Sequence, residues 1–95
     1  MQFLTFSWHR SEGVTDADFA AHVDDEAQRA RTLYSEGFIR QIWHRADIPG
    51  ACILIEADTE EHVREMLDTL PLVRAGMLEV QIIPLKPYAG FSPRP

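Results

Sequence analysis

The chain has 95 residues, 45% of them hydrophobic and 25% charged, the composition of one globular domain too short to hold two independent cores. Nine Lys and Arg against fifteen Asp and Glu give a formal charge of -6, the wrong sign for a phosphate-rich partner, so neither nucleic acid nor an anionic membrane is expected. Cys52, the one cysteine, has no internal disulfide partner, no apolar run approaches the roughly 20 residues of a membrane span, and Met1 to Phe6 lacks a basic signal-peptide start. A cytoplasmic protein forming a single domain over residues 1–95 is the expectation.

Gln2 to Arg10 reads as a strand that alternates Phe3, Thr5, Ser7 and His9 with the more apolar set Leu4, Phe6 and Trp8. Thr15 with Asp18 three residues on predicts a capping box. Phe19, Val23, Ala27, Ala30 and Tyr34 keep helical spacing as far as Gly37, which predicts one helix of about five or six turns. Phe38 to Ala46 and Ala51 to Ala57 read as strands joined by the turn Asp47-Ile48-Pro49-Gly50, hence a hairpin, the second strand being apolar on both faces and therefore central. Asp58 or Thr59 caps a second helix with Val63, Met66, Leu67 and Leu70 on one stripe, ended by Pro71, and Met77 to Pro84 is the fourth strand.

Strand, helix, strand, strand, helix, strand is the α+β, ferredoxin-like βαββαβ order: a four-stranded antiparallel sheet with two helices on one face. The uncovered face calls for a second copy, and 85–95, with Pro87, Pro93 and Pro95, reads as an extended arm able to reach across it.

The densest set of ionisable groups lies on the first helix. His22 and Glu26, four apart, share a helical face and are expected to touch. A charged helix face is usually solvated, but Glu26 adjoins the apolar stripe, and a carboxylate held in an apolar cleft is pushed toward neutrality, as a base removing a proton beside a carbonyl requires. These two are the candidate catalytic residues. Arg40 offers a donor fork for a carboxylate, Trp43 and Trp8 could wall an apolar pocket, and His44 stands beside Trp43, so these four are the candidate substrate-binding residues. For His9, the expectation is a surface or hydrogen-bonded side chain. No His-x-x-x-His pair, Gly-rich phosphate loop or G-x-S-x-G setting occurs, so no metal, nucleotide or serine nucleophile is expected.

Asp25-Glu26, Glu36-Gly37, Arg40-Gln41-Ile42-Trp43, and Leu70-Pro71-Leu72 leading to Leu78-Glu79-Val80 resemble the muconolactone isomerases over about residues 19–84. The resemblance implies subunits that pair through their sheets into a dimeric α+β barrel, often in a larger homo-oligomer. It also implies cofactor-free and metal-free proton transfer in a carboxymethyl-butenolide during aromatic-compound catabolism. It carries Glu26 onto the family's acidic helix residue, Arg40 onto its strand arginine and Trp43 onto its strand tryptophan. Leu4, Phe6, Ala51-Cys52 and His44 stand where the family has polar or basic residues, which implies a more apolar ligand than muconolactone. The expected function is a cofactor-independent isomerase or related lyase acting on a small unsaturated lactone or carbonyl compound. A non-catalytic binding or assembly protein of the same barrel group and a cofactor-independent oxygenase are the alternatives.

Overall fold

The computed structural model describes residues 1–91. Strands β1 (Gln2–His9), β2 (Ile39–His44), β3 (Ala51–Glu56) and β4 (Leu78–Pro84) form an antiparallel sheet in the order β2-β3-β1-β4, with β3 internal as its apolar sequence predicts. Helices α1 (Asp16–Ala20) and α2 (Val23–Ser35) link β1 to β2, and α3 (Glu60–Leu67) and α4 (Pro71–Arg74) link β3 to β4. The expected βαββαβ order is present, with the first expected helix divided in two and the second divided from a short further helix, α4, that starts where it was expected to end.

Both divisions have local causes. The Thr15 and Asp18 capping box closes the start of α1 in both directions, with Asp18 N–H donating to Thr15 Oγ1 at 3.2 Å and Thr15 N–H to Asp18 Oδ2 at 2.8 Å. At Ala21 and His22 the helix stops: His22 N–H bonds three residues back to the Phe19 carbonyl, not four back to Asp18. The Asp18 carbonyl is instead met by His22 Nδ1 at 2.9 Å. In the second pair, Pro71 opens α4 and does not merely end α3. Its missing N–H costs nothing at the first helical position, and Leu70 before it is extended, at φ -73 and ψ 127.

Restarting at Val23 sets which side of α2 is buried. Of the expected stripe, Phe19, Val23, Ala27 and Ala30 face the space between helices and sheet, Val23 at its exposed edge, whereas Tyr34 turns outward. Ala30 and the fully buried Leu33 pack on the core, and Glu26, four before Ala30, shares their side. Beneath them lie Phe3 and Ile39 with Ile53 and Ile55, closed from α3 by Val63 and Leu67.

Register fixes the sheet faces. Phe3 pairs with Ile55 and Thr5 with Ile53, all four buried under the helices, whereas Leu4 pairs with Leu54 and Phe6 with Cys52 on the other side. The more apolar face of β1 is therefore the one the helices leave uncovered, and the helix-covered face carries the polar residues Thr5, Ser7 and His9. Cys52, expected to be a buried hydrophobe, is half-buried on the uncovered face.

The β2–β3 hairpin is drawn tightly against β1. Gly50 has φ +153°, and a Cβ there would fall 2.0 Å from the Ser7 carbonyl oxygen, so only glycine lets the backbones approach this closely. Ser7 Oγ accepts the Ala51 N–H at 3.0 Å, and Arg45 Nε and Nη2 donate to Asp47 at 3.0 and 2.7 Å across the turn. That pairing holds the Asp47 carboxyl down at about 2. Beyond β4, Leu85 N–H still bonds to Gln2, but the arm ends in a 3₁₀ turn at Ala89–Phe91 where an extended run was expected. Pro93 and Pro95 lie outside the described residues.

Candidate functional site

A cavity of about 680 Å³ lies between the helices and the sheet, a size suited to a small organic ligand. Most of its wall is apolar, drawn from Phe19, Val23, Ile53, Leu70, Leu72 and Val80 among others. Glu26 stands in that wall, half-buried. Its Oε1 accepts the Leu72 N–H at 2.9 Å, one of the donors that the start of α4 cannot satisfy internally. The segment Leu70-Pro71-Leu72 thus presents a free amide to Glu26, because Pro71 has no N–H of its own to offer. Burial raises the Glu26 carboxyl above its ordinary value, against the lowering effects of the Leu72 amide and of His22. A carboxylate with one oxygen anchored and a raised affinity for protons can shuttle a proton within an apolar hollow.

The other candidate residues are distributed less compactly. His44 from β2 lines the cavity at its exposed edge, and Trp43, paired with Cys52 and so turned to the uncovered face, touches the cavity only at that edge. His22 does not line it, and the expected His22–Glu26 contact is absent, because the ring turns back to the unpaired Asp18 carbonyl while Glu26 is held by Leu72. A carbonyl oxygen only accepts, so His22 Nδ1 carries the proton in that bond. Arg40 is exposed and outside the cavity wall. A register shift between Ile39 and Gln41 leaves it as the extra residue of a bulge. Trp8 faces the opposite side of the sheet, in a shallow depression with Phe6 and Ile48. Among the described residues no three of His, Cys, Asp and Glu come together closely enough to hold a metal ion, and no helix there is long and apolar enough to cross a membrane.

The sequence model of the muconolactone delta-isomerase family matches residues 1–90. The chain belongs to that family. A muconolactone isomerase crystal structure at 3.3 Å resolution shares the fold, with a TM-score of 0.78 and 20% identity, covering 94% of this chain and 92% of that one. So does the 5-chloro-2-hydroxyhydroquinone dehydrochlorinase of Burkholderia phenoliruptrix AC1100, solved with 2,5-dihydroxybenzoquinone, at a TM-score of 0.67 and 18% identity over 90% of this chain and 94% of that one. None of the curated proteins matches the chain in sequence. For this family member, sequence reasoning gave no site role to five polar residues of the cavity wall: Thr5, Ser7 and His9, successive on one face of β1, with Arg31 and Arg45. The alternation in β1 was visible, but which face the helices would cover was not, because a face left for a second copy can be as apolar as one packed under helices.

Proposed function

We propose that this chain is a cofactor-independent isomerase, or a related lyase, that moves a proton on an unsaturated lactone or other carbonyl compound derived from aromatic-compound breakdown. Glu26 is the proton shuttle. The observation that carries the reading is its placement: a carboxylate in an apolar cavity, one oxygen anchored by the Leu72 amide, with burial raising its proton affinity. A purely binding role for the barrel would be favoured by Glu26 lying on a solvated helix face, and it does not.

In the step proposed, the free oxygen of Glu26 takes the proton from the saturated carbon at the end of the conjugated system, the γ-carbon of a 2-butenolide, and the C–H electron pair spreads through the double bond onto the carbonyl oxygen as a dienolate. The same oxygen returns the proton to the far end of that system, the double bond moves, and Glu26 is a carboxylate again. If a leaving group departs with the electron pair instead, the outcome is elimination, the lyase variant; the dehydrochlorinase that shares the fold makes this variant a natural one to test. His44 bounds the open end of the cavity with Trp43 at the sheet edge beside it, and the ring of His22, bonded to the Asp18 carbonyl, holds the helix break from which α2 restarts. Arg40 and Trp8 lie off the cavity wall and take no part. The proposed unit is a cytoplasmic homodimer built on the uncovered sheet face.

The test is turnover of muconolactone, followed by ultraviolet absorbance, by the parent and by Glu26→Gln. Gln keeps an acceptor for the Leu72 amide but cannot carry the proton, so the rate should fall by about 10²–10⁴-fold. An unchanged rate removes Glu26 from the mechanism.

A further inference from the structure

A dienolate needs a donor at its oxygen, and the expected one, Arg40, is outside the cavity. The geometry points to His9 as that donor, an inference that rests on the proton-transfer reading above. His9 is the last residue of β1, on the face that Thr5 and Ser7 share, and its half-buried ring lines the same cavity as Glu26, from the sheet floor where Glu26 comes from the helix wall. The ring is stacked on Phe19 of α1, centroids 4.1 Å apart and planes 15° from parallel. Stacking fixes its plane without using either nitrogen. Neither nitrogen has a hydrogen-bond or ion-pair partner among the described residues, and none of the buried side-chain polar atoms there is left unpartnered, so both ring nitrogens are accessible, on a ring that lines the cavity. An oriented ring with unspent donors beside a carboxylate of raised proton affinity is what enolate stabilisation requires.

Of the other polar wall residues, Thr5 is almost wholly buried in the sheet floor, and the rest are committed elsewhere or stand at the rim. Ser7 Oγ bonds to both backbone groups of Ala51. Arg45 is paired with Asp47. Arg31 and His44 are exposed at the edge. His9 therefore receives the substrate oxygen, hydrogen-bonding the carbonyl in the ground state and more strongly the enolate that forms when Glu26 takes the proton. The proton on His9 stays on the ring throughout, so the step remains balanced on Glu26 alone.

Two substitutions separate this role from packing. His9→Phe keeps the stack on Phe19 but removes the donor; His9→Gln keeps a donor but weakens the stack. On muconolactone, kcat should fall roughly 10²-fold or more in His9→Phe, with KM little changed, and recover in part in His9→Gln. A packing role predicts the reverse order. A second readout uses protein labelled with ¹⁵N in its histidine rings and titrated with 2(5H)-furanone, a bare butenolide. The His9 ring resonances should shift on binding, both in the otherwise unaltered protein and in Glu26→Gln. If other cavity resonances move while those of His9 stay still, or if His9→Phe turns over like the parent, His9 is not the donor and the Glu26 reading stands. If neither binding nor turnover occurs with either compound, both inferences fall together.

Discussion

Glu26 is held in the cavity wall at an energetic cost, and that cost can be read as a dependence on pH. Burial raises its folded-state pKa above the unfolded value. The folded protein therefore binds the proton more tightly than the unfolded chain does, and stability falls as pH rises from the unfolded pKa through the folded one. Below that window the carboxyl is neutral in both states and the penalty vanishes. Glu26→Gln should thus be at least as heat-stable as the parent at pH 8, with the difference in Tm shrinking toward zero near pH 4. A gap that widens on acidification would mean that the carboxylate is stabilised by its surroundings and is no poised base. The inward direction of Glu26 was legible in the sequence because it adjoins an apolar stripe, of which only Tyr34 proves to face outward. Arg40 could not be placed the same way. One extra residue in a bulge breaks the alternation that assigns strand residues to faces, and nothing in Ile39-Arg40-Gln41 announces it. His9 was equally illegible, since a histidine at a strand end reads as a surface residue until Phe19 is known to lie over it.

At the scale of elements, the strand order, the hairpin and both helix caps were open to sequence reading, because each rests on local chemistry: alternation, a Pro-Gly turn, a Thr before a helix. The helix break at Ala21 and His22 was not, for no glycine or proline marks it. What replaces them is a side-chain bond, His22 Nδ1 to the Asp18 carbonyl, a pairing that no period reveals. That break sets the phase of α2 and brings Glu26 inward, so the cavity depends on an event that lacks a sequence signature. The hairpin against β1 supplies the sharper test. Gly50→Ala would put a methyl carbon against the Ser7 carbonyl oxygen in a backbone conformation that favours glycine, and should cost at least ~2 kcal/mol of unfolding free energy. Chemical denaturation measures it, and loss below ~0.5 kcal/mol would mean that the turn relaxes freely. Because Ser7 and Gly50 both line the cavity, the displacement should also weaken ligand binding.

At the scale of the whole molecule, the helices cover one face of the sheet only. The other presents Leu4, Phe6, Trp8, Leu54 and Ile83 with Trp43 at the edge. Trp8 and Trp43 are 36% and 47% exposed, and a run of apolar side chains along one open face marks a surface that another molecule can cover. The sequence showed that one sheet face would need a second copy, but the alternation in β1 did not say which face that would be. A second copy placed sheet to sheet would bury it and close the barrel. Leu54 lies near the middle of this face, paired across the sheet with Leu4 and Gln41, and is the position at which a charge discriminates best. In a lone subunit, Lys at 54 can lay its methylenes along the sheet and keep its ammonium in water. Between two sheets the ammonium would be buried without a partner, at a cost of about 3–5 kcal/mol, which weakens association by at least ~10²-fold. Sedimentation at micromolar concentration should give a dimer for the parent and a monomer for Leu54→Lys, with the helix and strand content of the two matching by circular dichroism. If the parent itself sediments as a monomer, the uncovered sheet is not a subunit interface. If Leu54→Lys remains dimeric, the two copies meet elsewhere, and the barrel is closed without this face.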